Sequence, residues 1–284
     1  MSGSRQAVAQ GLEELAARAR ARYGVPLVRV RVLPQGVMGS VGLSSQEQAV
    51  RQLVSASWPG APTRLLVLAA RRPRAGLYPA GRPLEVWRSP AGTAGREPEL
   101  TTELLPGDPP AALLAAFEEN FLVRAPGEAV GWVPRSATFR MGPPPEPGAG
   151  SVPSWDPAEV LACALEQLGR PYVWGGTGAV GLDCSGLVWR SFLQVGMLLP
   201  RNSRAQRLVG SRVRLAELEP ADLVAAVSRG PARRSHVALA LGPAEVVHAC
   251  SERMVVRREP LADFRERYQV IAVRRLPGAR PPAR

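Results

Sequence analysis

Lysine is absent from this chain of 284 residues, and all 36 basic positions are arginine. Isoleucine occurs once (Ile271), asparagine twice (Asn120, Asn202), and aromatic residues make up only 5%. This bias reads as the imprint of a GC-rich coding sequence more than as selection for a basic surface, although the formal net charge is +12. The arginines are scattered, and no basic run is interleaved with aromatics, which argues against a nucleic-acid partner. Three cysteines, Cys163, Cys184 and Cys250, are odd in number and show no C-x-x-C spacing. Neither a disulfide framework nor a zinc site follows, and no metal or other cofactor is implied. No apolar stretch approaches the length that spans a bilayer. The first 25 residues carry Arg5, Glu13, Glu14, Arg18, Arg20 and Arg22 and no apolar segment of secretory type. The expectation is a soluble cytoplasmic protein with no membrane partner, or a secreted one if the chain is a mature or truncated form.

What is present divides the chain into segments. Residues 1–75 alternate helical and strand patterns: Val8, Leu12, Leu15 and Ala19 recur at a helical period, and Val28, Val30 and Val32 alternate with arginines. A helix capped by Ser45 and a strand over 63–70 complete a small α+β module of unknown role. Residues 76–140 turn to short strands (84–87, 113–117, 121–123, 130–133) separated by Pro106-Gly107-Asp108 and Pro126-Gly127, which suggests a small β-barrel. Residues 141–154 hold five prolines and three glycines and read as a linker. Residues 155–276 open with Asp156-Pro157-Ala158-Glu159, a helix start with a proline at its first position. A second helix begins near Cys184, and strands are expected over 222–227, 235–241, 244–249, 253–258 and 269–274. Helices followed by an antiparallel sheet give an α+β fold. Residues 277–284 are a Pro/Arg tail.

The chemistry concentrates in that last large segment. Cys184 stands in Asp183-Cys184-Ser185-Gly186-Leu187 behind a glycine-rich loop, and the only two histidines, His236 and His248, follow it. Backbone amides at a helix start and a neighbouring imidazole are the two common means of turning a thiol into a thiolate. If the strands around Gly242-Pro243 form a hairpin turning about Gly242, the two histidines fall opposite one another and one ring can bond the other. Cys184 is then the nucleophile, His236 the base and His248 its orienting partner. Cys250, on the same facing as His248, is either a structural neighbour or a redox group.

Pro171-Tyr172-Val173-Trp174-Gly175-Gly176, Asp183 to Val188, and Leu199-Pro200-Arg201-Asn202-Ser203 with Gln206 resemble the NlpC/p-sixty family of bacterial cell-wall cysteine peptidases. Ser235-His236-Val237 and Val247-His248-Ala249 are similar to its two histidine motifs, in the same order. The resemblance covers about 157–275 and implies a papain-like fold with a Cys184–His236–His248 site, with Tyr172 near the oxyanion. It further implies hydrolysis of the γ-D-glutamyl-L-diamino acid bond of murein stem peptides, in peptide recycling. The alternatives are an exported hydrolase of intact wall and an inactive muropeptide-binding protein. Gly131-Trp132-Val133-Pro134-Arg135-Ser136 resembles the last strand of bacterial Src-homology-three-like domains. In family members built that way Asp183 and Ser185 would bind a free amine, helped by an acid from the barrel. Glu103 and Asp108 are the candidates for that acid, the alternative being solvated turn residues. Trp174, Arg201 and Ser203 complete the expected substrate-binding set. The chain departs from the family pattern at Ala221, Val224-Ala225-Ala226 and Ala238.

Overall fold

The computed structural model describes residues 3–23, 27–68, 72–90, 99–145 and 154–279. Its N-terminal unit runs α1 (Gly3–Tyr23), β1 (Val28–Leu33), β2 (Gly36–Val41), α2 (Ser44–Ser57) and β3 (Thr63–Val67), with the strands in the order β1-β2-β3. β2 was not expected, because two glycines and a half-exposed methionine hide its alternation. Helix α2 starts ahead of Ser45, so that serine is not the cap. The Gln46 side-chain oxygen accepts from the Leu43 amide instead.

The middle unit is a seven-stranded antiparallel sheet: β4 (Gly76–Pro79), β5 (Leu84–Trp87), β6 (Leu100–Leu104), β7 (Ala111–Ala116), β8 (Asn120–Arg124), β9 (Val130–Pro134) and β10 (Phe139–Gly142). Their order is β10-β4-β7-β8-β9-β5-β6. Strand alternation gives this sheet two apolar faces. Leu114, Leu122 and Trp132 join Val8, Leu12, Val50 and Val54 in one core. Leu113, Phe121, Val123 and Val133 join the C-terminal unit in another. Among the described residues no helix is long and apolar enough to cross a membrane.

The C-terminal unit contains α3 (Pro157–Glu166), α4 (Cys184–Gln194), α5 (Ser203–Gln206), β11 (Ser211–Val213), β12 (Leu223–Ser228), β13 (Ser235–Ala240), β14 (Glu245–Cys250), β15 (Val255–Pro260), α6 (Leu261–Arg267) and β16 (Tyr268–Arg275). Its six strands lie in the order β11-β16-β12-β13-β14-β15, every pair antiparallel. Residues 237, 239, 247 and 249 pack with Leu187, Val188 and Phe192 of α4. Residues 238, 240 and 246 pack with Phe264 of α6 and Tyr268. The chain after β16 is not a loose tail where it is described. The Trp155 amide donates to Gly278 O (3.0 Å) and its indole to Pro277 O (2.8 Å), closing the start of the unit onto its end. Residues 280–284 lie outside the described range.

Ala221 has φ 66°, a left-handed conformation that glycine adopts without cost. The departure from the family's glycine is therefore a matter of backbone strain more than of packing.

Candidate active site

Cys184 is the first residue of α4, and the loop ahead of it is clamped from several sides. Asp183 is the helix cap: one carboxylate oxygen accepts from Gly186 N (2.6 Å) and Ser185 Oγ (3.0 Å), the other from Gly175 N (2.9 Å). Arg201 grips both oxygens, at 3.0 and 2.9 Å, and also donates to Thr102 Oγ1 (2.8 Å) and Gly176 O (3.2 Å). Gly186 has to be glycine, since a Cβ there would stand 2.1 Å from the Gly176 carbonyl. Glu103 Oε1, from β6, accepts from the Thr177, Gly178 and Ala179 amides at 2.8, 2.9 and 2.8 Å. Asp108 holds Arg190 of α4 at both ends, and the Arg190 Nε–H donates to Thr177 O at 2.9 Å. The loop that presents the cysteine is thus tied to the seven-stranded sheet by two carboxylates and two arginines.

This changes the reading of five expected substrate-binding residues. Glu103 and Asp108 are not solvated turn residues: Glu103 is buried with three backbone amides on one oxygen, and the Asp108 side chain, 6% exposed, is ion-paired with Arg190. Asp183, Ser185 and Arg201 form one buried cluster in which the carboxylate already takes five donors. A carboxylate offers about four lone-pair directions, so none is left for an incoming ammonium group. Trp174, by contrast, is half exposed, and Ser203 Oγ meets Ser235 Oγ at 3.0 Å beside His236.

The two histidines come together in a register one step removed from the expected one. Leu239 pairs with Val247 and Ala240 with Val246, and Leu241 N donates to Glu245 O, so the hairpin is centred on Pro243 and not on Gly242. That shift makes His236 and His248 diagonal neighbours. Diagonal rings remain within reach across an antiparallel pair, and His236 Nε2 lies 2.8 Å from His248 Nδ1 with the rings perpendicular. Tyr268 stacks on His236 at 4.3 Å between centroids, and Phe264 lies edge-on to His248 at 5.3 Å. On its far side His248 Nε2 meets Glu259 Oε1 at 2.9 Å, and Arg267 in turn binds that carboxylate. Neither Glu259 nor Arg267 was read from the sequence as part of the site. The signal was the β14–β15 register, which sets Glu259 opposite Val246 and diagonal to His248.

The Cys184 sulfur lies against β13, where the Val237 amide bonds it, as does the amide of Ser185. Burial, reinforced by the Asp183 charge, nevertheless pushes the thiol up to about 12. Burial also holds His236 well below its ordinary 6.5, with His248 and Arg267 adding to the effect. At rest the thiol and the imidazole are therefore both neutral, and the thiolate expected from a helix start is not formed. The helix amides favour the anion, but desolvation and a carboxylate next door outweigh them. Burial likewise keeps the Tyr172 hydroxyl protonated, helped by the nearby Cys184 and Asp183, so it remains a hydrogen-bond donor. Cys250 points its sulfur at Glu252 (3.4 Å), to which Tyr268 also donates. Among the described residues no group of three or more His, Cys, Asp or Glu is arranged to hold a metal ion.

Residues 169–274 match the profile of the NlpC/P60 family. A probable endopeptidase of Mycobacterium tuberculosis (strain ATCC 25618 / H37Rv) is 38% identical over 114 residues, covering 40% of this chain and 28% of that protein. Peptidoglycan endopeptidase RipB of the same strain is 37% identical over 115 residues, covering 36% of this chain and 46% of that protein. The crystal structure of an NlpC/P60 family protein from Bacillus cereus ATCC 10987 has 22% sequence identity and a TM-score of 0.40, over 71% of this chain and 63% of that one. The chain thus spans between about a quarter and a half of the length of these curated relatives. The segment from Gly169 to Arg274, which carries Cys184, His236 and His248, is an NlpC/P60 family domain.

Proposed function

We propose that this protein is a cysteine endopeptidase that cleaves the γ-D-glutamyl-L-diamino acid bond of peptidoglycan stem peptides. The observation that carries the reading is the meeting of Cys184 with the strand of His236, whose ring is bonded to His248, inside an NlpC/P60 family domain. In the reaction the thiol proton passes to His236 as sulfur attacks the γ-carbonyl carbon, and the C–N bond breaks as His236 returns that proton to the leaving amine. Water, deprotonated by the same imidazole, then releases the acyl group from sulfur. In this reading Tyr172 and the amides at the start of α4 receive the oxyanion. The test is incubation with L-Ala-γ-D-Glu-diaminopimelate: release of L-Ala-γ-D-Glu supports the reading, and an intact tripeptide overturns it.

The occupied carboxylates favour a second reading, on the source of the substrate. Selecting a free N-terminal amine on Asp183 or Asp108 requires an uncommitted anion, and both carboxylates are committed to arginines. Peptides still joined to the wall would then be accepted as readily as recycled fragments. N-acetylation of the tripeptide is expected to change kcat/KM by less than about threefold. A loss above about tenfold, roughly 1.4 kcal/mol of lost recognition, would return the choice to free fragments.

The pH dependence follows from the neutral resting pair. A base whose pKa is lowered stays unprotonated as pH falls past 6.5. The acid limb of kcat/KM is therefore expected well below 6.5, the ordinary imidazole value. A limb centred at or above that value would show that His236 is not held neutral.

A further inference from the structure

Glu259, His248 and His236 form an unbroken buried chain of hydrogen bonds that ends on β13, the strand whose Val237 amide bonds the Cys184 sulfur. His248 is fully buried and Glu259 nearly so, at 0% and 2% exposed. The bonds measure 2.9 Å from His248 Nε2 to Glu259 Oε1 and 2.8 Å from His248 Nδ1 to His236 Nε2. Arg267 contacts both Glu259 oxygens, and Arg257 Nε stands 3.6 Å from one of them. With that cation in contact the carboxyl is ionised, and a carboxylate only accepts hydrogen bonds. His248 Nε2 must then carry a proton. Arg267 already balances the carboxylate charge, so the buried ring needs no second positive charge and its Nδ1 is left with a lone pair. That nitrogen can only accept from His236, whose proton is therefore on Nε2. The His236 Nδ1 lone pair is left free.

We propose that Glu259 is a positioning residue which, acting through His248, holds His236 in the tautomer whose Nδ1 can take the Cys184 proton. This rests on the peptidase reading for its consequence in turnover, but not for the tautomers themselves. The opposite tautomer would put a proton on Nδ1 and leave the site without a base. Glu259, His248 and His236, on three adjacent strands, thus decide which nitrogen does the chemistry.

Glu259→Gln tests it sharply. Arg267 has no acceptor, so it will claim the amide oxygen and turn the amide NH2 toward His248 Nε2. That reverses both rings. Glu259→Ala removes the carboxylate and imposes neither tautomer. The isosteric variant is therefore expected to be the more damaging in turnover, lowering kcat about a hundredfold to ten-thousandfold, as expected for a mis-set imidazole tautomer. KM should change little, and Glu259→Ala should lose less activity. Because the chain has only two histidines, histidine-selective 15N labelling resolves all the ring nitrogens. At neutral pH the unmodified protein should show both Nε2 atoms protonated and both Nδ1 atoms bare, and Glu259→Gln should show the reverse. An unmodified protein with a protonated Nδ1 on His248 overturns the proposal, whether or not the variant folds. So does a Glu259→Gln protein with unaltered ring signals and full kcat. If the tripeptide is not cleaved at all, the ring signals still decide the relay, and the peptidase reading alone fails.

Discussion

Replacing Cys184 with alanine is expected to lower kcat/KM toward the tripeptide at least about a thousandfold, with the thermal midpoint nearly unchanged. In the proposed mechanism the Cys184 sulfur forms the acyl intermediate, and neither other cysteine is expected to substitute. Cys163 leans on Ser191 of α4, and Cys250 is bonded to Glu252. The structural cost is small because the lost group is one sulfur at the first position of a helix whose cap, Asp183, keeps all its donors. Steady-state kinetics beside a thermal melt separates the two effects. A variant that loses activity and stability together would point to a packing role for the thiol. One that keeps activity would remove Cys184 from the mechanism.

The second large effect concerns Arg201. Arg201→Met keeps most of the side-chain volume but strips two donors from a buried carboxylate, and the expected loss of stability is about 3–5 kcal/mol, the usual result of breaking a buried ion pair from one side. The same change releases Thr102 of β6 and the Gly176 carbonyl, so the seven-stranded sheet and the cysteine loop loosen together. Adding Asp183→Asn should recover part of the loss, because the stranded charge disappears. Denaturant unfolding of the four proteins of this cycle measures the coupling. A cost below about 1 kcal/mol for Arg201→Met would mean that the cluster is open to solvent, and Arg201 would return to the substrate-binding set.

These expectations show where the sequence was legible and where it was not. Cys184, His236 and His248 could be named because each sits in a short local pattern: a capped helix start, and two strands around a turn. Their pairing was legible in kind but not in register, since Gly242 and Pro243 are both turn residues and only the Leu241–Glu245 hydrogen bond decides between them. Glu259 was invisible because it needs a second register, across β14 and β15, to reach His248. Residue type also says nothing of occupancy. Asp183, Ser185 and Arg201 look like ligand groups in a linear motif, yet in three dimensions they satisfy one another. Glu103 is 74 positions from Thr177, and its role as an acceptor for three successive amides depends on how one unit packs on the next. The thiol's ionisation failed for a related reason: a helix start is local and favours the anion, while burial and the engaged Asp183 charge are properties of the packed site.

The central claim, that one sulfur performs the attack, is tested most directly with an affinity label built on the substrate. L-Ala-γ-D-Glu carrying a chloromethyl ketone in place of the scissile amide lets the nucleophile displace chloride and stay bound. Peptide mapping should find one label per chain, on Cys184 and on neither Cys163 nor Cys250, with activity falling in step. A label on any other residue, or full turnover by protein labelled stoichiometrically on Cys184, would contradict the account.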